Sequence, residues 1–258
     1  MHEDYVSREE YCGYFGKLEG LRTKVAACLP LKPDTQILDI ATGYGFFAFE
    51  ISEREPSVKV VGIDISQSDV DAFNKRIESS GLGDRLSGLK MDVSEMSFSR
   101  ERFDMVVNFL GLEDVHMTRG KQGIEDTFSE VARVVKSGGY LCFCVMPAEE
   151  AETEAQQLEI EVFSWLCSAT WLPAADYEKM LTVNGFNLIS RKTFYTGKKL
   201  TVAQAAEEIR FACENVPRIY GVKTPSFDEV WARFGSRIER HGMGHYSRVV
   251  SMTARKKG

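Results

Sequence analysis

Seven prolines and four histidines are few for a chain of 258 residues, and its six cysteines include no Cys-x-x-Cys pair. Without proline-rich or biased stretches there is no extended linker, and without clustered histidine and cysteine there is no zinc-ribbon or haem-attachment pattern. No run approaches the ~18 apolar residues of a membrane-spanning helix, and the opening Met1-His2-Glu3-Asp4 is not the basic start of a signal peptide. A long basic run is absent too, and the net charge is −6, so the surface that binds nucleic acid by releasing counterions is not expected. These absences lead us to expect a cytoplasmic protein with free thiols and neither a membrane nor a nucleic-acid partner.

What is present is a full core: 43% of the residues are apolar and 11% aromatic. From Ile37 to Val145 apolar runs alternate with helical spacing, the pattern of a mostly parallel sheet covered on both faces. Strands are expected at Gln36 to Ile40, Val58 to Ile63, Leu86 to Met91, Phe103 to Phe109 and Tyr140 to Val145. Helices are expected near Phe46 to Arg54, Ser68 to Ser79 and Gly123 to Lys136, the last closed by Gly138-Gly139. Leu18, Leu21, Val25 and Cys28 have helical spacing before this core.

After the core, a helix is expected from Ala148, with Glu149, Glu150, Glu152 and Glu154 at the positive end of its dipole. Another follows Pro173 and closes at Asn184-Gly185, leading into a strand from Phe186 to Tyr195. Capping boxes at Thr201 with Gln204 and at Ser226 with Glu229 start two more helices, the second ending at Gly242. Tyr246 to Ala254 reads as a final strand. A strand at Phe186 parallel to the first five would bring residues 197–243 over the ligand crevice.

The segment Ile37-Leu38-Asp39-Ile40-Ala41-Thr42-Gly43-Tyr44-Gly45-Phe46 runs an apolar strand through small residues into a helix. Small residues let backbone approach a ligand, and the helix start offers unpaired amides to an anionic group. A dinucleotide turn would place a glycine where Phe46 stands, and the phosphate loop's Gly-Lys-Ser/Thr ending is missing, so a ligand with a carboxylate rather than a phosphate chain is expected. Asp64 ends the second strand about twenty residues further on, where a carboxylate can accept both ribose hydroxyls. Asp92 ends the third strand, and Asn108 closes the fourth.

These motifs resemble those of the class I S-adenosylmethionine-dependent methyltransferases, in the small-molecule branch of ubiquinone-biosynthesis type. The resemblance lies in Leu-Asp-Ile-Ala-Thr-Gly-Tyr-Gly, Val-Gly-Ile-Asp-Ile-Ser, Asp-Val-Ser-Glu-Met-Ser-Phe, Arg-Phe-Asp-Met-Val-Val-Asn and Glu-Val-Ala-Arg-Val-Val-Lys-Ser-Gly-Gly, in that order. It covers about Gln36 to Val145, and more weakly Leu172 to Leu188. It implies a doubly wound α/β fold with a seven-stranded, mostly parallel Rossmann-like sheet, the last strand antiparallel. It also implies S-adenosylmethionine as cofactor, with the backbone of Ala41, Gly43 and Gly45 and the carboxylate of Asp39 around its methionine part. Asp64 would hold the ribose, Ile65, Asp92 and Val93 the adenine, and Asn108 would contribute near the methionine end. Ala41 departs from the family's usual first glycine, as Thr42 does from a frequent cysteine and Ser137 from a common proline.

Methyl transfer is an in-line displacement that depends mainly on alignment in a dry pocket, so a catalytic residue is optional. If a proton must leave the acceptor, the loop Gly111-Leu112-Glu113-Asp114-Val115-His116 offers bases, with His116 and Glu113 the leading candidates. No metal site is expected: His241 and His245 are separated by two glycines and have no further ligand nearby. Cys142 and Cys144 share a strand face and read as core rather than as thiol chemistry. Tyr11, Tyr14 and Phe15, with Trp165, Trp171, Tyr177, Phe194, Tyr195, Phe211, Tyr220, Phe227, Trp231 and Phe234, supply both helix packing and an aromatic acceptor pocket. Arg210, Arg218 and Lys223 leave an acidic acceptor open.

The expected organisation is an N-terminal helical cap at 1–30, a cofactor-binding core at 31–196 that includes a helical segment at 147–185, an insertion over the active site at 197–243, and the last strand at 244–258. The expected function is methyl transfer to a small-molecule acceptor, with a homodimer compatible with it. The alternatives are a protein or peptide methyltransferase and a cofactor-binding regulatory protein without catalysis.

Overall fold

The structure, a computed structural model, describes residues 18–167, 171–196, 198–244 and 246–258. Tyr11, Cys12, Tyr14, Phe15 and His245 lie outside the described residues, as does most of the expected N-terminal cap.

The seven-stranded sheet consists of β1 (Gln36–Ile40), β2 (Lys59–Asp64), β3 (Leu86–Lys90), β4 (Phe103–Phe109), β5 (Val135–Val145), β6 (Phe186–Tyr195) and β9 (Arg248–Lys256), in the order β3-β2-β1-β4-β5-β9-β6. The five strands from β3 to β5 pair in parallel. β9 runs antiparallel between β5 and β6, which makes β6 parallel to the first five. Residues β7 (Lys199–Leu200) and β8 (Met243–Gly244) form a separate short pair. The chain leaves β1 in one direction to build β2 and β3, and in the other to build β4 and β5. The crevice outside the carboxyl ends of β1 and β4 is therefore the topological switch point where such sheets bind ligands.

The helices are α1 (Glu19–Ala26), α2 (Phe46–Arg54), α3 (Gln67–Ser80), α4 (Leu112–Val134), α5 (Glu154–Cys167), α6 (Ala174–Val183), α7 (Val202–Tyr220) and α8 (Phe227–His241). Alternation along each strand divides the core in two. Leu38, Val106, Leu141 and Phe143 face Phe128, Val131 and Tyr177 on one side. Ile37, Met105, Val107, Cys142 and Cys144 face Phe47, Ile51 and Phe73 on the other. Both cysteines are core residues, and burial pushes the Cys142 thiol up to about 12. A third, smaller core joins Leu158, Val162 and Leu166 of α5 to Ile209 of α7 and to Val230, Phe234 and Ile238 of α8.

Four local expectations are corrected. β5 starts at Val135, because Val135 pairs with Phe103 before the register shifts; Gly138, at φ 75°, lies inside this irregular start instead of capping the preceding helix. α4 begins at Leu112, well before Gly123, and is interrupted at Gly120 (φ 66°, ψ −168°). Glu149 and Glu150 lie in a 3-10 turn, Ala148–Glu150, and of the glutamates after Pro147 only Glu154 stands in the first turn of the α-helix. Glu149 accepts the Ala174 amide at 2.6 Å, Glu150 pairs with Arg191 and Arg248, and Glu152 with Arg248, while α5 starts only at Glu154. The last strand begins at Arg248, since Tyr246, at φ 45°, turns out of the extended backbone. Both capping boxes form as expected. Among the described residues, no helix is long and apolar enough to cross a membrane.

Candidate functional site

The cavity at the switch point is an open cleft of about 1300 Å³ including the solvent space at its mouth. Asp39, Ala41, Thr42 and Gly43 from the glycine turn line it, with Asp64, Ile65 and Asp69 after β2 and Asp92 and Val93 after β3. Leu18 and Arg22 enter from the N-terminal side, Phe109, Asp114 and Arg119 from β4 and α4, and Tyr246 from the approach to β9.

The turn is built from left-handed backbone at alternate residues: Ala41 has φ 50°, Gly43 φ 52° and Gly45 φ 73°. A side chain at Gly45 would put its Cβ 2.1 Å from the Phe73 ring, so that position requires glycine on two counts. Ala41 pays the left-handed strain of a side chain, and its methyl group finds room because Gly111 opposite has none; a Cβ at 111 would lie 2.8 Å from that methyl. Asp39 is fully buried under the turn and accepts the Thr42 hydroxyl at 2.6 Å. Burial pushes its carboxyl up to about 7 against the Thr42 hydrogen bond, with the nearby Asp64 adding to the rise.

Asp64 ties the turn to the second strand. Its Oδ2 accepts the Gly43 amide and its Oδ1 the Ser66 amide, both at 2.9 Å. Burial raises its pKa, and these backbone bonds oppose the rise. Asp92 accepts the Ser94 amide and hydroxyl at Oδ1, while Arg119 reaches its Oδ2 through Nε at 3.1 Å and Nη2 at 2.8 Å. Partial burial would raise its pKa, but Ser94 and Arg119 outweigh that and hold it below the usual range. Ile65, 48% exposed, stands on the same cavity wall as Val93. The residues expected at the ribose and adenine ends thus converge on one concavity.

Asn108 takes a different part. It is buried, donates from Nδ2 to the Ile40 carbonyl at 2.7 Å and accepts the Gly111 amide at 3.2 Å, so it fastens two turns together and does not line the cavity. Gly45 likewise acts from behind the lining, as the N-cap of α2.

Neither leading base candidate reaches the cavity. Glu113 is buried toward β5, accepts the Met146 amide at 2.9 Å with Oε1, has no hydrogen-bond partner at Oε2, and is pushed by burial up to about 7. His116 is half-buried with Nδ1 unpartnered, and desolvation lowers its pKa. The helical turn of α4 points Asp114, Val115 and Thr118 inward instead. Leu18, Arg22, Asp69, Arg119 and Tyr246 were not singled out by sequence. Arg22 belongs to a helix outside every motif, where its guanidinium lies 4.7 Å from the Phe46 ring centre and 5.8 Å from that of Phe109. Asp114 lay within the loop 111–116 already named as a source of bases, and the spacing of 114, 115 and 118 along one helix face was the further signal for the α4 lining.

Among the described residues, none of α7 or α8 is part of the cavity lining. Trp165, Phe227, Trp231 and Phe234 pack within the third core, and Arg210 lies over the Phe227 ring.

Against known proteins, the family described as "Methyltransferase domain" matches residues 37–139. A demethylmenaquinone methyltransferase of Bacteroides fragilis is 30% identical over 112 residues, 43% of each chain, so the match spans less than half of that relative. The 27-O-demethylrifamycin SV methyltransferase of Amycolatopsis mediterranei is 26% identical over 92% of this chain and 82% of its own. Among solved structures, that of the [4+2]-cyclase SpnF superposes with a TM-score of 0.66 at 18% identity, over 93% of this chain and 80% of that one. At that identity the likeness concerns the fold alone, and the fold by itself does not fix the reaction.

Proposed function

We propose that this chain, whose residues 37–139 match a methyltransferase domain, is a class I S-adenosylmethionine-dependent methyltransferase that transfers a methyl group from that cofactor to a small-molecule acceptor in the cavity. The observation that carries this reading is the convergence of the glycine turn, Asp64 and the Asp92–Val93 pair on one concavity that continues past Phe109 to Asp114 and Tyr246.

S-adenosylmethionine, when bound, supplies an electrophilic methyl group on a cationic sulfur. Buried carboxylates at Asp39 and Asp64 beside the left-handed turn suit a ligand carrying an ammonium group and a ribose diol. Asp92, held by Ser94 and Arg119, offers a fixed acceptor to an adenine amino group, and Ile65 and Val93 offer apolar contact to its ring. Asn108 keeps the ends of β1 and β4 in register, so that the groups that must align stay aligned.

The acceptor would occupy the end of the cavity bounded by Leu18, Phe109, Asp114 and Tyr246. There Asp114 is the carboxylate placed to receive a proton from a hydroxyl or ammonium acceptor, in the part first sought at Glu113 and His116.

Calorimetry with S-adenosylmethionine and S-adenosylhomocysteine, followed by methyl-label transfer to a panel of small hydroxyl and amine acceptors, tests the reading. Binding of both ligands with label transfer to an acceptor is expected. Absence of binding removes the cofactor assignment; binding with label found only on protein or peptide replaces the acceptor class.

A further inference from the structure

Asp69 stands on the first turn of α3 and faces the cavity, although no motif includes it. Its sequence setting, Ser66-x-x-Asp69, is that of a helix start in which the N-cap hydroxyl accepts the third residue's amide and the third residue's side chain accepts the N-cap amide. The first half is present: Ser66 Oγ accepts the Asp69 amide at 3.3 Å. The second half is not, because the Ser66 amide is given to Asp64 Oδ1 at 2.9 Å.

The same chain shows what a completed box looks like. At α7 the Thr201 amide goes to Gln204, and at α8 the Ser226 amide goes to Glu229. At α3 the exchange of partners leaves the Asp69 carboxylate without a backbone donor, held only by the hydroxyls of Ser68, from Oγ to Oδ1 at 3.5 Å, and of Ser66. Burial and the neighbouring Asp64 push it up to about 7, against the hydrogen bonds from Ser66 and Ser68. Asp64, by contrast, already has a backbone amide on each oxygen.

A ribose presents two adjacent hydroxyls, each a donor in need of an acceptor. Building on the methyl-donor reading above, we propose that Asp64 and Asp69 divide this diol, one hydroxyl donating to each carboxylate, so that Asp69 is a specificity-determining residue for the cofactor's ribose. The division follows from the geometry: one carboxylate is spent on holding the turn, and a second is released into the same cavity by the partner exchange at Ser66.

The test is calorimetric titration of the full chain with S-adenosylhomocysteine and its 2′-deoxy and 3′-deoxy analogues, in the unaltered protein, Asp69→Asn, Asp69→Ala and Asp64→Asn. For both Asp69 variants, S-adenosylhomocysteine and one deoxy analogue are expected to weaken roughly tenfold, the loss of one hydrogen bond to a charged group. The other analogue, which lacks the hydroxyl that Asp69 holds, is expected to bind these variants as it binds the unaltered protein, within about twofold. Asp64→Asn, which also gives up one of the backbone amides that hold the turn, is expected to weaken all three ligands. Equal weakening of all three ligands by Asp69→Asn, or no weakening of S-adenosylhomocysteine, overturns the division while leaving the methyl-donor reading standing. An unaltered protein that binds none of the three overturns the methyl-donor reading itself and the division with it.

Discussion

Asn108 Nδ2 donates to the Ile40 carbonyl at 2.7 Å across the gap between β4 and β1, the place where the strand order reverses. The same side chain accepts the Gly111 amide, so one buried amide group fixes both the loop that starts the glycine turn and the loop that leads into α4. Replacing Asn108 with Ala leaves a buried carbonyl and a buried amide unpaired, each costing about 1–3 kcal/mol. Chemical denaturation is expected to show a loss of ~2–4 kcal/mol, and calorimetry a weakening of S-adenosylhomocysteine, although the side chain does not line the cavity.

Ala41 and Gly45 share left-handed backbone and are expected to respond oppositely to exchange. Ala41→Gly relieves a strained residue and should stabilise the protein by ~0.5–1 kcal/mol. Gly45→Ala drives a Cβ to 2.1 Å from the Phe73 ring and should destabilise it by ~3 kcal/mol or more. Urea unfolding midpoints of the two variants are the measurement.

Glu113 gives a pH prediction with a definite sign. Its carboxyl is raised to about 7 in the folded protein, whereas an unfolded glutamate titrates near ~4.3. Between those values the folded state holds a proton that the unfolded state has lost, so Glu113 lowers stability as pH rises from about 4 to about 7. Glu113→Gln removes this contribution. Chemical denaturation should show the variant gaining on the unaltered protein as pH increases toward 8, by ~4 kcal/mol at most, with no gain near pH 4; a parallel offset at every pH would refute the assignment.

Cofactor affinity is expected to rise with pH through the neutral range. Asp39 and Asp69 both titrate at about 7 in the free protein, and a ligand bringing an ammonium group and hydroxyl donors favours their ionised forms. Binding should therefore release protons near pH 6.5, seen as a buffer-dependent binding enthalpy, and the affinity should level off above pH 8.

Asp114→Asn is expected to reduce kcat by tenfold or more for a hydroxyl or ammonium acceptor, with cofactor affinity changed less than about threefold. His116→Gln, altered at a residue outside the lining, should leave kcat within about threefold. A reversed pattern in steady-state kinetics would return the base to the outer face of α4.

The motifs Leu-Asp-Ile-Ala-Thr-Gly-Tyr-Gly and Val-Gly-Ile-Asp-Ile-Ser were legible because strand ends and glycine turns are local: a period-two apolar run followed by left-handed backbone is written in adjacent residues. For the same reason β1, β4, β6 and α2 match the expected bounds, and the order of motifs led to the parallel sheet with one antiparallel strand. Less legible were elements shaped by distant partners. The glutamates at 149, 150 and 152 look like a helix start, yet Arg191, Arg248 and the Ala174 amide claim them from later in the chain.

Sequence alone determined the core strands, the turn and the placing of carboxylates 64 and 92 at strand ends, because each depends on neighbours a few residues away, while the order of the sheet came from the family resemblance. Tertiary structure decided which side chains face the cavity. Asp114 rather than Glu113 points inward because the helical phase of α4 is set by its packing between β4 and β5. Arg119 reaches Asp92 across 27 positions, and Asn108 reaches the Ile40 carbonyl across 68. Such choices are settled by competition for a donor or for space in three dimensions, where contacts far apart in the chain outweigh local preference.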